Sequence, residues 1–152
     1  MFSLIITIIS IALVAALALA TIYYGGNAFN KGSAEAKASQ LINEGQQING
    51  AIAMAKADVA SGTLTTAPAT VTALAPSYLA QLPSGWDGAA DADNASGIVT
   101  TLATTPVADA VCKAVNAKAG IAGETIPTAA PADKVYGCFG ATAGANQVFY
   151  RY

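Results

Sequence analysis

The sequence predicts an α+β chain: a long N-terminal α-helical stalk packed on a small antiparallel β-sheet head. Three observations carry this expectation. From Met1 to Tyr24 there is no charged residue, no proline and no glycine. Between Ser33 and Ser61 apolar and small residues recur at spacings of three and four, again with no proline. Beyond Gly62 the texture changes to short β-branched and aromatic runs separated by Gly- and Pro-containing turns, which is strand-and-turn chemistry. The expected organisation is therefore a stalk over residues 1–62 and a head over residues 63–152.

The apolar run comes first. At 1.5 Å per residue, 24 helical residues extend about 36 Å, more than the roughly 30 Å of a bilayer's hydrocarbon core. A cleavable secretory signal would use the small-x-small sites at Ala16–Ala18 or Ala18–Ala20. It would also need a basic leader and a shorter apolar core than this run provides. A plain membrane anchor fits the length, with Tyr23 and Tyr24 as interfacial aromatics. A third possibility is a segment that resides first in a membrane and later inside a protein assembly. The large side chains that would serve it are Phe2, Leu4, Ile5, Ile6, Ile8, Ile9, Ile11, Leu13, Val14, Leu17, Leu19 and Ile22.

The sequence that follows favours the third possibility. Ala34, Ala38, Leu41, Gly45, Ile48, Ile52, Ala55 and Val59 lie on one helix face, a sustained seam. Leu41, Gly45, Ile48, Ile52 and Val59 are expected to pack on the head. Glu35, Lys37, Asn43, Glu44, Gln47 and Lys56 are assigned to the opposite face. Ser33 is a candidate N-cap and Gly62 a candidate C-terminal stop. Between the apolar and amphipathic halves lies GGNAFNKG, residues 25–32. Three glycines cost about 1 kcal/mol each in a helix relative to alanine. Residues 25–32, with breaks at Gly25, Gly26 and Gly32, are therefore expected to form an extensible joint between two helical rods, 1–24 and 33–61; one unbroken helix with tolerated glycines is the alternative.

In the head, residues 63–76 are expected to form a connecting loop and Ser77–Leu82 a short helical turn. Trp86 is expected to anchor the core at the start of a strand. Strands are expected at Ser96–Thr104, Lys134–Ala141 and Asn146–Tyr152, the last two as a hairpin turning at 142–145. A helix is expected over Val107–Ala119, and the sheet is expected to have three to five strands. Cys112 and Cys138 are the two cysteines, and there is no histidine. An isolated pair without histidine is a poor metal set and reads as one disulfide in an oxidising compartment; two reduced, buried thiols are the alternative.

Composition excludes several function classes. The chain carries 7 Lys+Arg against 9 Asp+Glu and no basic cluster, so it offers nucleic acid no electrostatic footprint. Without histidine no ordinary Ser-His or Cys-His pair can form, and no phosphate-cradling glycine loop is present. No enzyme activity and no cofactor or metal is expected. Asp87, Asp91, Asp93 and Asn94 cluster in DGAADADNASG, but their spacing does not match a calcium loop, and a solvated turn is expected. Asn94-Ala95-Ser96 forms a glycosylation sequon. Phe149, Tyr150 and Tyr152 are expected to pack in the terminal hairpin.

Taken with FSLIITIISIALVAALALA, YYGGNAFNKGSAEAKASQLINEGQQINGAI and Cys112…Cys138, this layout resembles the type IV pilins. YLAQLPSGW and the segment around Cys112 look most like the type IVb branch. The resemblance implies a fold with a helical stalk, a sheet and a C-terminal disulfide loop. It implies a filament subunit that polymerises through its apolar helix and is drawn from an inner-membrane pool by a pilus assembly machinery. It further implies processing by a prepilin peptidase, with a methylated N-terminus, and an extracellular filament on a bacterial surface. A minor pilin or secretion pseudopilin is the alternative within the family; a monomeric membrane-anchored binding domain is the alternative outside it. Many family members carry glutamate at the fifth position. Here that position is Ile5 counting from Met1 or Ile6 counting from Phe2, and no acid occurs before Glu35, so contacts between subunits along residues 1–24 are expected to be mainly apolar.

Overall fold

A computed structural model describes residues 2–89, 97–123, 125–140 and 145–152. The elements in chain order are α1 (Phe2–Ala60), a 3-10 helix (Val71–Leu74), β1 (Ile98–Thr100), α2 (Asp109–Lys118), β2 (Tyr136–Gly140) and β3 (Asn146–Arg151). Two compact units are distinguished, Met1–Ala34 and Glu35–Tyr152. The expected Asp91, Asp93 and Asn94 cluster, the sequon and turn residues 142–144 lie outside the described residues.

The first unit is helical from Phe2 onward, with its large apolar side chains exposed. Gly25, Gly26 and Gly32 do not break it: α1 runs unbroken through all three. This corrects the two-rod expectation, and helix cooperativity accounts for it. A break would forfeit several i→i−4 hydrogen bonds at once, whereas good helix formers on either side let the helix propagate through the glycines without a new nucleus.

The second unit is built on residues 35–60 of α1. Ala38, Leu41, Gly45, Ile48, Ala51, Ile52 and Ala55 are buried on one face, and Val59 at its end is half-buried. A Schellman motif ends the helix. Gly62 sits at φ +78° and its N–H donates to Val59 O, while Thr63 N–H reaches back to Asp58 O at 2.9 Å. The glycine matters there because the left-handed conformation penalises any residue with a Cβ.

The sheet has three antiparallel strands in the order β1-β3-β2. In β2–β3 register Tyr136 opposes Tyr150 and Cys138 opposes Val148; on the other side Val99 opposes Tyr150. β3 is central, and Val148, Phe149 and Tyr150 are all buried, as expected for a strand covered on both faces. Tyr136 and Tyr150 stack at 5.9 Å. The expected strand at 96–104 shortens to β1, because the chain leaves the ladder after Thr101, which pairs with Trp86 in an isolated bridge. Trp86 is buried but lies in no strand. The helical turn expected at Ser77–Leu82 falls earlier, at Val71–Leu74. There the three-residue repeat of a 3-10 helix turns Val71 and Leu74 to the same side, and both are fully buried.

Gly45 marks the closest approach of α1 to the aromatic core. A Cβ there would stand 2.7 Å from Tyr150 Cδ2 and 3.0 Å from Trp86 Cη2, whereas a Cβ at Gly50 meets nothing within 4 Å. The same substitution should therefore act with opposite sign at two positions five residues apart. Gly50→Ala should stabilise by roughly 0.5–1 kcal/mol through helix propensity. Gly45→Ala should destabilise by about 1 kcal/mol net, since overpacking costs more than propensity returns. Thermal unfolding of the detergent-solubilised chain, followed by Trp86 fluorescence, checks both signs.

Candidate functional site

The chain offers two surfaces on which a function can be built: the exposed apolar helix of the first unit and a cleft in the second. In the first unit, the twelve side chains expected to serve polymerisation, Phe2 through Ile22, are between 52% and 84% exposed. Three of the four hydroxyls among residues 2–22, all but that of Ser3, are already occupied. Thr7 Oγ1 donates to Leu4 O, Ser10 Oγ to Ile6 O and Thr21 Oγ1 to Ala18 O, each at 2.8–2.9 Å. Returning a hydroxyl to the preceding turn satisfies it inside the helix. The segment therefore presents an apolar surface to any neighbour, and α1 is long and apolar enough to cross a membrane.

The second unit satisfies several backbone groups at its sheet edges with its own atoms. At the β2 edge, Cys138 N–H donates to Asn116 Oδ1 at 2.7 Å and Asn116 Nδ2 donates to Cys138 O at 3.0 Å. One buried amide thus takes the place of a neighbouring strand. Gly140 N–H is taken by Pro127 O, and at the β1 edge Asp87 N–H donates to Thr100 O. Edge strands recruit other strands through such groups when they are open. The disulfide joins Cys112 to Cys138, with Cα atoms 5.3 Å apart. Cys112 and Asn116 are four residues apart on α2, so the bond and the amide reach β2 from one helix face. At the far end of the hairpin, Asn146 Nδ2 donates to Val107 O and to Asp109 Oδ1, fixing the start of α2.

A cleft of about 340 Å³ is lined by Lys37, Gln40, Glu44, Thr101, Val107 and Val111, among others. Glu44, assigned by sequence to the outward face, is half-buried instead. Its carboxylate accepts from Trp86 Nε1 at 2.9 Å and from Gln40 Nε2 at 2.7 Å. Among the described residues no group of three Cys, Asp or Glu side chains could hold a metal ion.

Sequence reasoning located the cysteines and the seam but missed Asn116 and the Glu44–Trp86 bond. Asn116 carries a signal in retrospect. It stands four residues after Cys112 in a helix whose Cys112 face is buried, so an amide there needs buried partners. A further polar tie sits at the end of α1. Asp58 lies in the last turn, where the helix dipole disfavours an anion, and Tyr78 OH donates to its Oδ2 at 2.6 Å. That hydrogen bond, then burial, then the negative charge of Asp58 raise the Tyr78 phenol above its ordinary value.

Comparison with protein-family models, curated proteins and solved structures finds no match for this chain.

Two outcomes are expected. Asn116→Ala leaves a buried N–H and C=O unpaired and should cost about 2–4 kcal/mol even with the disulfide intact, read as a lowered unfolding midpoint without reductant. For Tyr78, a pKa raised on folding means that its stabilisation is complete below the unfolded value of about 10 and is lost as pH rises through the folded value. Tyr78→Phe should therefore be less stable than the parent at pH 7–9, with the two curves converging above pH 10.

Proposed function

We propose that this chain is the structural subunit of an extracellular type IV pilus-like filament, polymerising through its apolar N-terminal helix. The observation that carries the reading is an asymmetry of satisfaction. Residues 2–24 expose a long uncharged helix surface, while the second unit occupies its sheet edges at Thr100, Cys138 and Gly140 with its own atoms. Strand donation, the other common route to a fibre, has no open edge at Thr100, Cys138 or Gly140. The helix remains as the polymerising element. Held first in the inner membrane, it passes into a bundle of identical helices, keeping its burial while its surroundings change from lipid to protein. In this reading its role is structural rather than catalytic, its partners are copies of itself and the assembly machinery, and the mature filament stands on a bacterial surface.

Shearing cells and imaging the released material tests this directly. Filaments whose mass spectrum is dominated by this chain support it; a chain that stays wholly with membranes selects the anchored monomer instead. The apolar surface also sets the filament's chemistry. Salt screens charge pairs within a Debye length of about 3 Å at 1 M but leaves buried apolar contacts intact. Filaments should therefore persist in molar sodium chloride and dissociate in detergent, as sedimentation would show.

A further inference from the structure

Apolar packing holds helices together but does little to fix how far one slides past the next. The charges of α1 are the groups able to set that register, and there are six: Lys31, Glu35, Lys37, Glu44, Lys56 and Asp58. Four are engaged within the chain. Lys37 Nζ donates to Gln40 Oε1 at 3.3 Å, and Glu44 accepts from Trp86 and Gln40. Lys56 Nζ lies 4.5 Å from the centre of the Tyr152 ring, and Asp58 accepts from Tyr78. The side chains of Lys31 and Glu35 are exposed and have no partner among the described residues. They are opposite in sign and four residues apart. With lysine preceding glutamate, their order is the weaker one for an i,i+4 pair within a helix.

We propose that Lys31 of one copy pairs with Glu35 of a second copy, fixing the stagger of neighbouring helices; the proposal rests on the filament reading. In a parallel pair offset by four residues, about 6 Å along the axis, Lys31 of one helix is level with Glu35 of the next. Residues 2–24 then lie against residues 6–28, so apolar surface meets mainly apolar surface. The contact is heterologous: each copy still offers a Lys31 or a Glu35 to a further copy, and the arrangement propagates. An antiparallel pair centred on residue 33 would also match the charges. It would, however, set the apolar run against residues 42–64, which include Asn43, Gln46, Gln47 and Asn49. The apolar run therefore selects the parallel arrangement, and the charges select its offset. A pair at the edge of an apolar contact acts chiefly on register and on wrong partners, since like charges brought together repel.

Charge reversal in the full-length chain tests the pair. Filament yield after shearing is measured against the membrane-held amount of the same chain, which controls for folding and insertion at these exposed positions. Lys31→Glu and Glu35→Lys should each lower the yield by about tenfold or more, and the double reversal should restore it to within about twofold. In parent filaments, a carbodiimide should link Lys31 to Glu35 between chains, giving a covalent dimer whose junction peptide mass spectrometry identifies. Single reversals that assemble like the parent, or a double reversal that rescues nothing, overturn the pair and leave the filament reading standing. A parent that yields no filaments overturns that reading and the pair with it.

Discussion

The apolar surface of residues 2–24 constrains everything else about this chain. Covering one large aliphatic or aromatic side chain is worth about 1.5–3 kcal/mol, and twelve such residues stand exposed between Phe2 and Ile22. Leaving them in water forgoes on the order of 20 kcal/mol, more than the 5–15 kcal/mol that holds a typical domain folded. That is the gain open to whatever surroundings, lipid or protein, cover the helix. The hydroxyls of Thr7, Ser10 and Thr21, turned back onto Leu4, Ile6 and Ala18, suit either environment because they ask nothing of it.

A chain with one surface that gains so much from cover is best served by other surfaces that ask for no partner. The second unit meets this through a small number of buried polar contacts rather than through size. The disulfide closes residues 112–138, a constraint worth roughly 3–4 kcal/mol in the chain-entropy model. Asn116 adds two bonds to the same strand from the same helix face. The two act on different states: the disulfide chiefly limits the unfolded chain, and the amide satisfies the folded one. Asn116 also occupies the β2 edge at Cys138, so the residue that secures the head denies another strand those two groups.

How much of this was legible in the sequence depended on the range of the interaction. Local patterns were readable. The seam from Ala38 to Ile52, the stop at Gly62, the cysteine pair and the positions of α2, β2 and β3 follow from spacing, turn chemistry and composition. Interactions set by tertiary register were not. β1 ends early because Trp86 pairs with Thr101 beyond it, and nothing near Thr101 announces a partner fifteen residues upstream. Glu44 looks like a solvated charge on a helix wheel. It is drawn inward only because the indole N–H of Trp86 needs an acceptor. Val71 and Leu74 sat in a stretch read as loop because four residues are too few for a period to declare itself.

The glycines of residues 25–32 show where a local rule failed and what replaced it. Propensity sums to a penalty of some 4 kcal/mol for that stretch, yet it is helical, since breaking it would cost a turn of hydrogen bonds with two helices already formed on either side. The penalty remains in the helix as a local weakness, so the stretch is the part of α1 that outside forces most readily change. The same residues leave the helix surface bare, with nothing within 4 Å of where Cβ atoms would stand at Gly25, Gly26 and Gly32. Bare backbone lets a neighbouring helix approach closely, as small residues do where helices pack in apolar surroundings. The glycines therefore act on two levels at once, lowering the helix's own stability and raising what a neighbour can gain by packing against it. Lys31, set between Gly26 and Gly32, places the first charge of the chain beside that bare surface.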